Sequence, residues 1–195
     1  MTSSPDKKPS ITAGIGLNRR SLLKATALAL GGCFFPGALI GTVHASTQPE
    51  RSLAFYNLHT GEDLNTVYWS EGQYLPEALN RINHILRDHR SGEAVSIDAR
   101  LLDLLHELSG RMGSQARFHV ISGYRSPHTN AIMRLHSAGI ARHSLHTQGK
   151  AIDIRLPGHS LASLHQAAVR LRGGGVGYYP GSDFVHMDTG RVRYW

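Results

Sequence analysis

Cysteine is all but absent: Cys33 is the one thiol in 195 residues. It lies within residues 1–45, which read as a targeting leader. The remaining chain is then expected to have no thiol, which excludes disulfides, a cysteine nucleophile and thiolate metal ligands together. Blocks of like charge are missing as well. Five of the 21 basic and one of the 14 acidic residues precede Ser46, so the net charge falls from +7 to +3 for residues 46–195. With the other arginines scattered, nucleic-acid binding loses its main argument. A mild positive charge would still draw the chain to an anionic wall polymer.

Several catalytic signatures are lacking too. There is no GxSxG nucleophile elbow, and the glycines at 173–177 follow a helical pattern instead of opening one, so they lack the setting of a phosphate loop. His106-Glu107-Leu108-Ser109-Gly110 starts like the helical zinc motif HExxH but has glycine where the second histidine belongs.

The leader is recognised by what it contains. Asn18-Arg19-Arg20-Ser21-Leu22-Leu23-Lys24 precedes an apolar run over residues 25–43 and a small-residue site, Val43-His44-Ala45, in a twin-arginine layout. A run of ~20 residues is long enough to span a bilayer, and Cys33 after Leu30-Gly31-Gly32 offers a loose lipidation site. Gly31, Gly32, Pro36, Gly37 and Gly41 within the run, with the paired arginines before it and the small-residue site after it, favour a cleaved signal over a retained span, and the looseness of the lipidation motif speaks against a lipid anchor. The expected organisation is a signal segment at 1–45 and one domain at 46–195, with no stable membrane span after cleavage. Twin-arginine export carries folded proteins, which places the product in the periplasm or cell envelope.

No repeat, low-complexity tract or Gly/Ser linker divides residues 46–195, the size of a single domain. Residues 52–58 and 65–69 form a hairpin-like pair of β-branched and aromatic runs. Helices are expected over residues 76–88, with Leu79, Ile82 and Ile85 at helical spacing, and 98–112, with a stripe of Leu101, Leu104, Leu105 and Leu108. Beyond Arg117, strands at 118–122, 151–156 and 184–188 and helices at 127–137 and 160–172 alternate with loops rich in polar residues.

Twelve histidines follow the leader. His84, His89, His106 and His165 fall on expected helices, and His59, His119, His128, His136, His143 and His159 have no partner pattern; all ten read as ordinary surface or half-buried residues. His146 differs. It sits in the loop Ser144-Leu145-His146-Thr147-Gln148-Gly149, seven residues before Asp153, and Asp153 lies on a strand between Ile152 and Ile154. A carboxylate there needs a partner, and a cation supplies one. In Asp183-Phe184-Val185-His186-Met187-Asp188, strand alternation sends Val185 and Met187 to the core and His186 to the other face. His146, Asp153 and His186 thus form a three-ligand nitrogen and oxygen set suited to catalytic zinc, with a fourth position for water. Without metal, His146 and Asp153 would be an ordinary hydrogen-bonded pair.

Two residues are candidates for the chemistry around such a metal. Asp183 is a candidate base if it lies on the loop before the strand, the alternative being a turn aspartate. Arg125, where a strand turns into a helix, could donate to a substrate carbonyl or carboxylate; the alternative is a structural ion pair.

The order Ser-x-His-x6-Asp followed by Asp-x-x-His, with Ser122-Gly123-Tyr124-Arg125-Ser126 before it, resembles the zinc peptidases that include D-alanyl-D-alanine metallopeptidases, phage endolysins and the hedgehog signalling fold. Within that group the chain is most similar to the exported murein endopeptidases of the YcbK (MepK) type. Gly175-Val176-Gly177-Tyr178-Tyr179-Pro180 and the segment from Asp188 to Trp195 add to the likeness. The resemblance implies a small α+β domain, an antiparallel sheet flanked by helices, with one zinc in an open cleft. His146, Asp153 and His186 take its ligand positions, Asp183 its base position and Arg125 its substrate-polarising position. The implied partner is peptidoglycan, cut at crosslinks between two diaminopimelate residues, with some action on D-alanine-linked bridges as the alternative. A wall-binding zinc module without turnover is the alternative, because the hedgehog likeness permits one.

Overall fold

The computed structural model describes residues 49–113, 117–137 and 139–195. The expected leader lies outside them. Among the described residues no helix is long and apolar enough to cross a membrane.

The chain opens with a hairpin, β1 (Arg51–Asn57) and β2 (Asp63–Ser70), extended by the two-residue β3 (Gln73–Tyr74). Two helices follow. In α1 (Pro76–Ile85) proline occupies the first turn, where its missing N–H costs nothing. In α2 (Ala99–Arg111) the Asp98 carboxylate accepts from the Arg100 N–H at 3.0 Å. β4 (Phe118–Ser122) leads into α3 (Pro127–His136), capped by Ser126, and β5 (Ala151–Arg155) into α4 (Leu161–Leu171), capped by Ser160. β6 (Gly175–Tyr179), β7 (Phe184–Asp188) and β8 (Arg193–Tyr194) complete the chain.

All eight strands form one sheet in the order β3-β2-β1-β4-β5-β7-β6-β8. The α+β class holds, but the sheet is mixed and not purely antiparallel as expected: β1 pairs with β4, and β6 with β8, in parallel. The first parallel pair follows from the long crossover through β2, β3, α1 and α2, which brings the chain back to the same end of the sheet. The second arises because β7 ends beside the start of β6. Residues 189–192 round that end, and β8 sets out along β6 in the same direction.

Side-chain alternation then separates core from site. Ile152 and Ile154 of β5, Val185 and Met187 of β7, Val120 of β4 and Phe55 of β1 join Leu101, Leu102, Leu105 and Leu108 of α2 and Leu164 of α4 in one apolar cluster. α2 packs on β1 and α4, and α4 on β6 and β7. Asp153 and His186, out of phase with those residues, are left to the opposite face.

Candidate metal centre

The antiparallel register of β5 and β7 sets Asp153 directly opposite His186, which places their side chains on the same face. His146 arrives from a 3₁₀ turn, Leu145–Gln148, started by Ser144, whose Oγ accepts from the His146 N–H at 3.3 Å. His146 and Asp153 are buried and His186 nearly so. Their inward atoms converge: His186 Nδ1 lies 2.8 Å from Asp153 Oδ1, and His146 Nε2 lies 3.3 Å from both. Zinc bonds of ~2.0–2.2 Å in tetrahedral geometry separate neighbouring donors by roughly 3.3 Å, close to this spacing.

The outer nitrogens decide what the inner ones offer. His146 Nδ1–H donates to the Gly123 carbonyl at 2.7 Å, and His186 Nε2–H donates to Asp188 Oδ2 at 3.0 Å. In their neutral forms both rings therefore turn lone pairs toward the carboxylate, so three acceptors meet with nothing to bind unless a cation or a proton lies between them. The donor set thus fits zinc. Burial alone would lower His186, but its hydrogen bonds to Asp153 and Asp188 outweigh this and raise it to about 8. Burial works against ionising Asp153, yet the two imidazoles prevail and hold it below the usual carboxylate range. A proton on His186 Nδ1 is what the metal would replace.

Asp188 is a site residue that the sequence reading did not single out. Its fully buried carboxylate also accepts from the Gly175 and Gly190 N–H groups and from two nitrogens of Arg193, at 2.7 to 3.0 Å. These donors overcome burial and keep it ionised. Its signal was the His-x-Asp spacing, which puts both residues on one strand face.

Gly123 fixes His146 from the other side. A Cβ there would stand 2.4 Å from the Leu86 carbonyl oxygen and 2.9 Å from Leu86 Cβ, so any side chain must push the backbone that holds the imidazole. Gly123→Ala is expected to cost about 1–3 kcal/mol of stability and about 10–100-fold in zinc affinity. Thermal melts and a chelator competition would check both.

The cluster lies at the floor of a cleft of ≈ 630 Å³. Comparison with known proteins gives a consistent result. Residues 45–195 match the family model Peptidase_M15_2, described as Peptidoglycan L,D-endopeptidase MepK. The chain belongs to this family. It is 43% identical over 178 residues to the peptidoglycan L,D-endopeptidase MepK of Escherichia coli K12, covering 91% of this chain and 97% of that protein. It is 38% identical over 179 residues to the probable peptidoglycan L,D-endopeptidase MepK of Haemophilus influenzae, covering 91% and 95%. No solved structure matches. As a member of a peptidase family the chain is a hydrolase.

In this M15 peptidase, aromatic residues of β6 and β7 and the one that follows β8 flank one side of the cluster: Tyr179 stacks on Phe184 with centroids 4.6 Å apart, and the Trp195 ring lies 5.4 Å from His186. The other flank is basic. Arg125 is 6% exposed, with its Nη2 3.9 Å from Asp153 Oδ2. Its remaining partners, Asn130 Oδ1 and Ser122 Oγ, are at 3.3 and 3.4 Å, and its Nε has no partner. Burial lowers its pKa against the opposing charge of Asp153. Such a guanidinium has donors to spare for a ligand.

His146, Asp153, His186 and Arg125 are therefore brought together, and Asp183 is not. It lies on the loop before β7, with φ 53°, but its carboxylate binds Arg155 at 2.7 Å, is 63% exposed and does not line the cleft. Arg155 lies two residues beyond Asp153 on β5, so the two share a face, and Asp183 is held at Arg155. His59, expected to be ordinary, lines the cleft and stacks on His89 with centroids 3.8 Å apart. His106 is bound to the Ser52 carbonyl, and Glu107 to Arg111, outside the cleft.

Proposed function

We propose that residues 46–195 form a zinc-dependent murein endopeptidase that hydrolyses peptide crosslinks in peptidoglycan, with diaminopimelate–diaminopimelate bridges as the expected substrate. Residues 1–45 are, in this reading, the twin-arginine leader that takes it to the periplasm. The observation that carries the proposal is the meeting of His146 Nε2, His186 Nδ1 and Asp153 Oδ1, with both outer imidazole nitrogens already committed. The printed name of the relatives supplies the substrate class.

When bound, zinc would supply Lewis acidity and lower the pKa of a water to about 7. The chain does the rest. His146, Asp153 and His186 hold the metal at the cleft floor. Arg125 donates to the substrate carbonyl oxygen as charge develops on it. Asp183, released from Arg155, takes a proton at its carboxylate and returns it to the leaving amine. An exposed ion pair such as Asp183–Arg155 is worth about 0–1 kcal/mol, so this release is cheap.

Zinc must displace the proton on His186, whose metal-free pKa is about 8. Apparent affinity is therefore expected to rise by about one log unit per pH unit up to that value and then level off. Calorimetry at pH 7 in buffers of different ionisation enthalpy should show about one proton released per zinc. Release of none would contradict the assignment.

The pairing of Asp183 with Arg155 away from the cleft also suits a non-catalytic zinc-containing wall-binding module. Incubating purified residues 46–195 with isolated peptidoglycan, with zinc or with a chelator, separates the two readings. Zinc-dependent conversion of crosslinked dimers to monomers, read by mass spectrometry, is the expected result, and the masses identify the bond. Metal bound with no dimer cleaved would leave the binding module.

A further inference from the structure

The cleft has a second guanidinium that the proposed chemistry does not use. Arg90 lines it together with Arg125, and the two are close enough for Arg90 to bear on the ionisation of Arg125. Arg193, the third cleft arginine, is spent on Asp188. Arg90 differs, for its side chain has no hydrogen-bond or ion-pair partner among the described residues.

Its backbone, by contrast, is firmly held. The chain leaves α1 at Ile85 and makes a turn in which the Asp88 N–H donates to the Glu93 carbonyl and the Gly92 N–H to the Asp88 carbonyl. The Asp88 side chain is 2% exposed and divides its oxygens between two main-chain donors. Oδ1 accepts from the Arg90 N–H, and Oδ2 from the N–H of Ser126, the cap of α3 and the residue after Arg125, each at 2.9 Å. One buried carboxylate thus ties together the segments that carry both guanidiniums. The ring between Asp88 and Arg90 in sequence, His89, is stacked on His59. The turn is pinned from two directions, and Arg90, exposed and among the residues lining the cleft, is left with its guanidinium free.

We propose that Arg90, set by Asp88, binds the carboxylate beside the scissile bond, so that the enzyme selects crosslinks whose leaving amine is that of an α-amino acid. The inference rests on the peptidase reading. Diaminopimelate carries a carboxyl on each amine-bearing carbon, so in a diaminopimelate–diaminopimelate bridge the nearest free carboxylate stands on the carbon attached to the scissile nitrogen. With Arg125 at the carbonyl oxygen, a neighbouring cation is what that carboxylate needs. A guanidinium meets it in a bidentate pair, which an ammonium cannot. Arg90 is a specificity residue in this account, and Asp88 a positioning residue.

The test compares two ligands that differ only at that group: an uncrosslinked muropeptide monomer with the free carboxylate on its non-peptide-bonded centre, and the same monomer amidated there. Calorimetry on the zinc-loaded chain reads binding without turnover, and the matching dimers give kcat and KM. Wild type is expected to bind the acid about tenfold more tightly than the amide. Arg90→Gln should erase the difference by weakening the acid alone, raising KM on the acid dimer more than it lowers kcat, and Arg90→Lys should restore part of it. Equal weakening of both ligands in Arg90→Gln, or no preference in wild type, would overturn the inference. Preference for the acid monomer without cleavage of any dimer would uphold the carboxylate site and defeat the peptidase reading instead.

Discussion

Asp153→Ala is expected to strip the chain of zinc and to destabilise the fold at the same time. The carboxylate is buried between His146 and His186, and its second oxygen faces the buried Arg125 at 3.9 Å. Its removal takes away the one anionic ligand and leaves that guanidinium without its ion-pair partner. Losing an outer partner of a metal ligand costs about 10–100-fold in affinity, and losing the ligand itself should exceed that. Breaking a buried ion pair from one side costs about 3–5 kcal/mol. Metal analysis of the purified variant and its melting temperature would check the two effects. Wild-type zinc content in this variant would place the metal elsewhere.

Asp183→Ala should do the opposite: zinc stays and turnover collapses. A positioned general base contributes about 10²–10⁴-fold, and the fall should appear in kcat. Stability should hardly move, because Asp183 is mostly exposed and its one partner, Arg155, is exposed as well. Metal content, melting temperature and steady-state rates on crosslinked dimers form the comparison. Unchanged kcat would mean that the Arg155 pair is the purpose of Asp183, and a different base would have to be found in the cleft.

How much of this was legible in the sequence depends on whether the determinant was local. Two-residue alternation at Ile152-Asp153-Ile154 and Val185-His186-Met187 was enough to orient both strands, and the observed register places Asp153 opposite His186. The helices that start after Asp98, Ser126 and Ser160 came from an equally local rule, the spacing of their apolar residues. Pairing between distant segments was not legible. The parallel contact of β1 with β4 leaves no turn signal, because more than two other elements intervene. β6 was hidden by Gly175 and Gly177, which have little strand propensity. Gly177 is there for another reason, since a Cβ on it would stand 2.7 Å from the Trp195 ring.

The same contrast holds at the site. Asp188 was visible only as part of a strand, while its significance rests on His186, Arg193 and two backbone N–H groups that the fold gathers around it. The periodicity of Leu79, Ile82 and Ile85 carried the expected helix on to residue 88, but it ends at Ile85. A buried Asp88 that serves Arg90 and Ser126 can be seen only once β4 and α3 are beside it. The role of Asp183 depends on which way one exposed carboxylate turns, and no spacing rule fixes that.

X-ray absorption at the zinc edge, on the wild-type chain and on His146→Ala and His186→Ala, tests the central claim most directly. The account predicts one zinc per chain with nitrogen and oxygen ligands at about 2.0–2.2 Å, four in number. Each histidine variant should lose the metal or one nitrogen scatterer. A wild-type chain that binds no stoichiometric zinc, or a spectrum that neither variant alters, would contradict it.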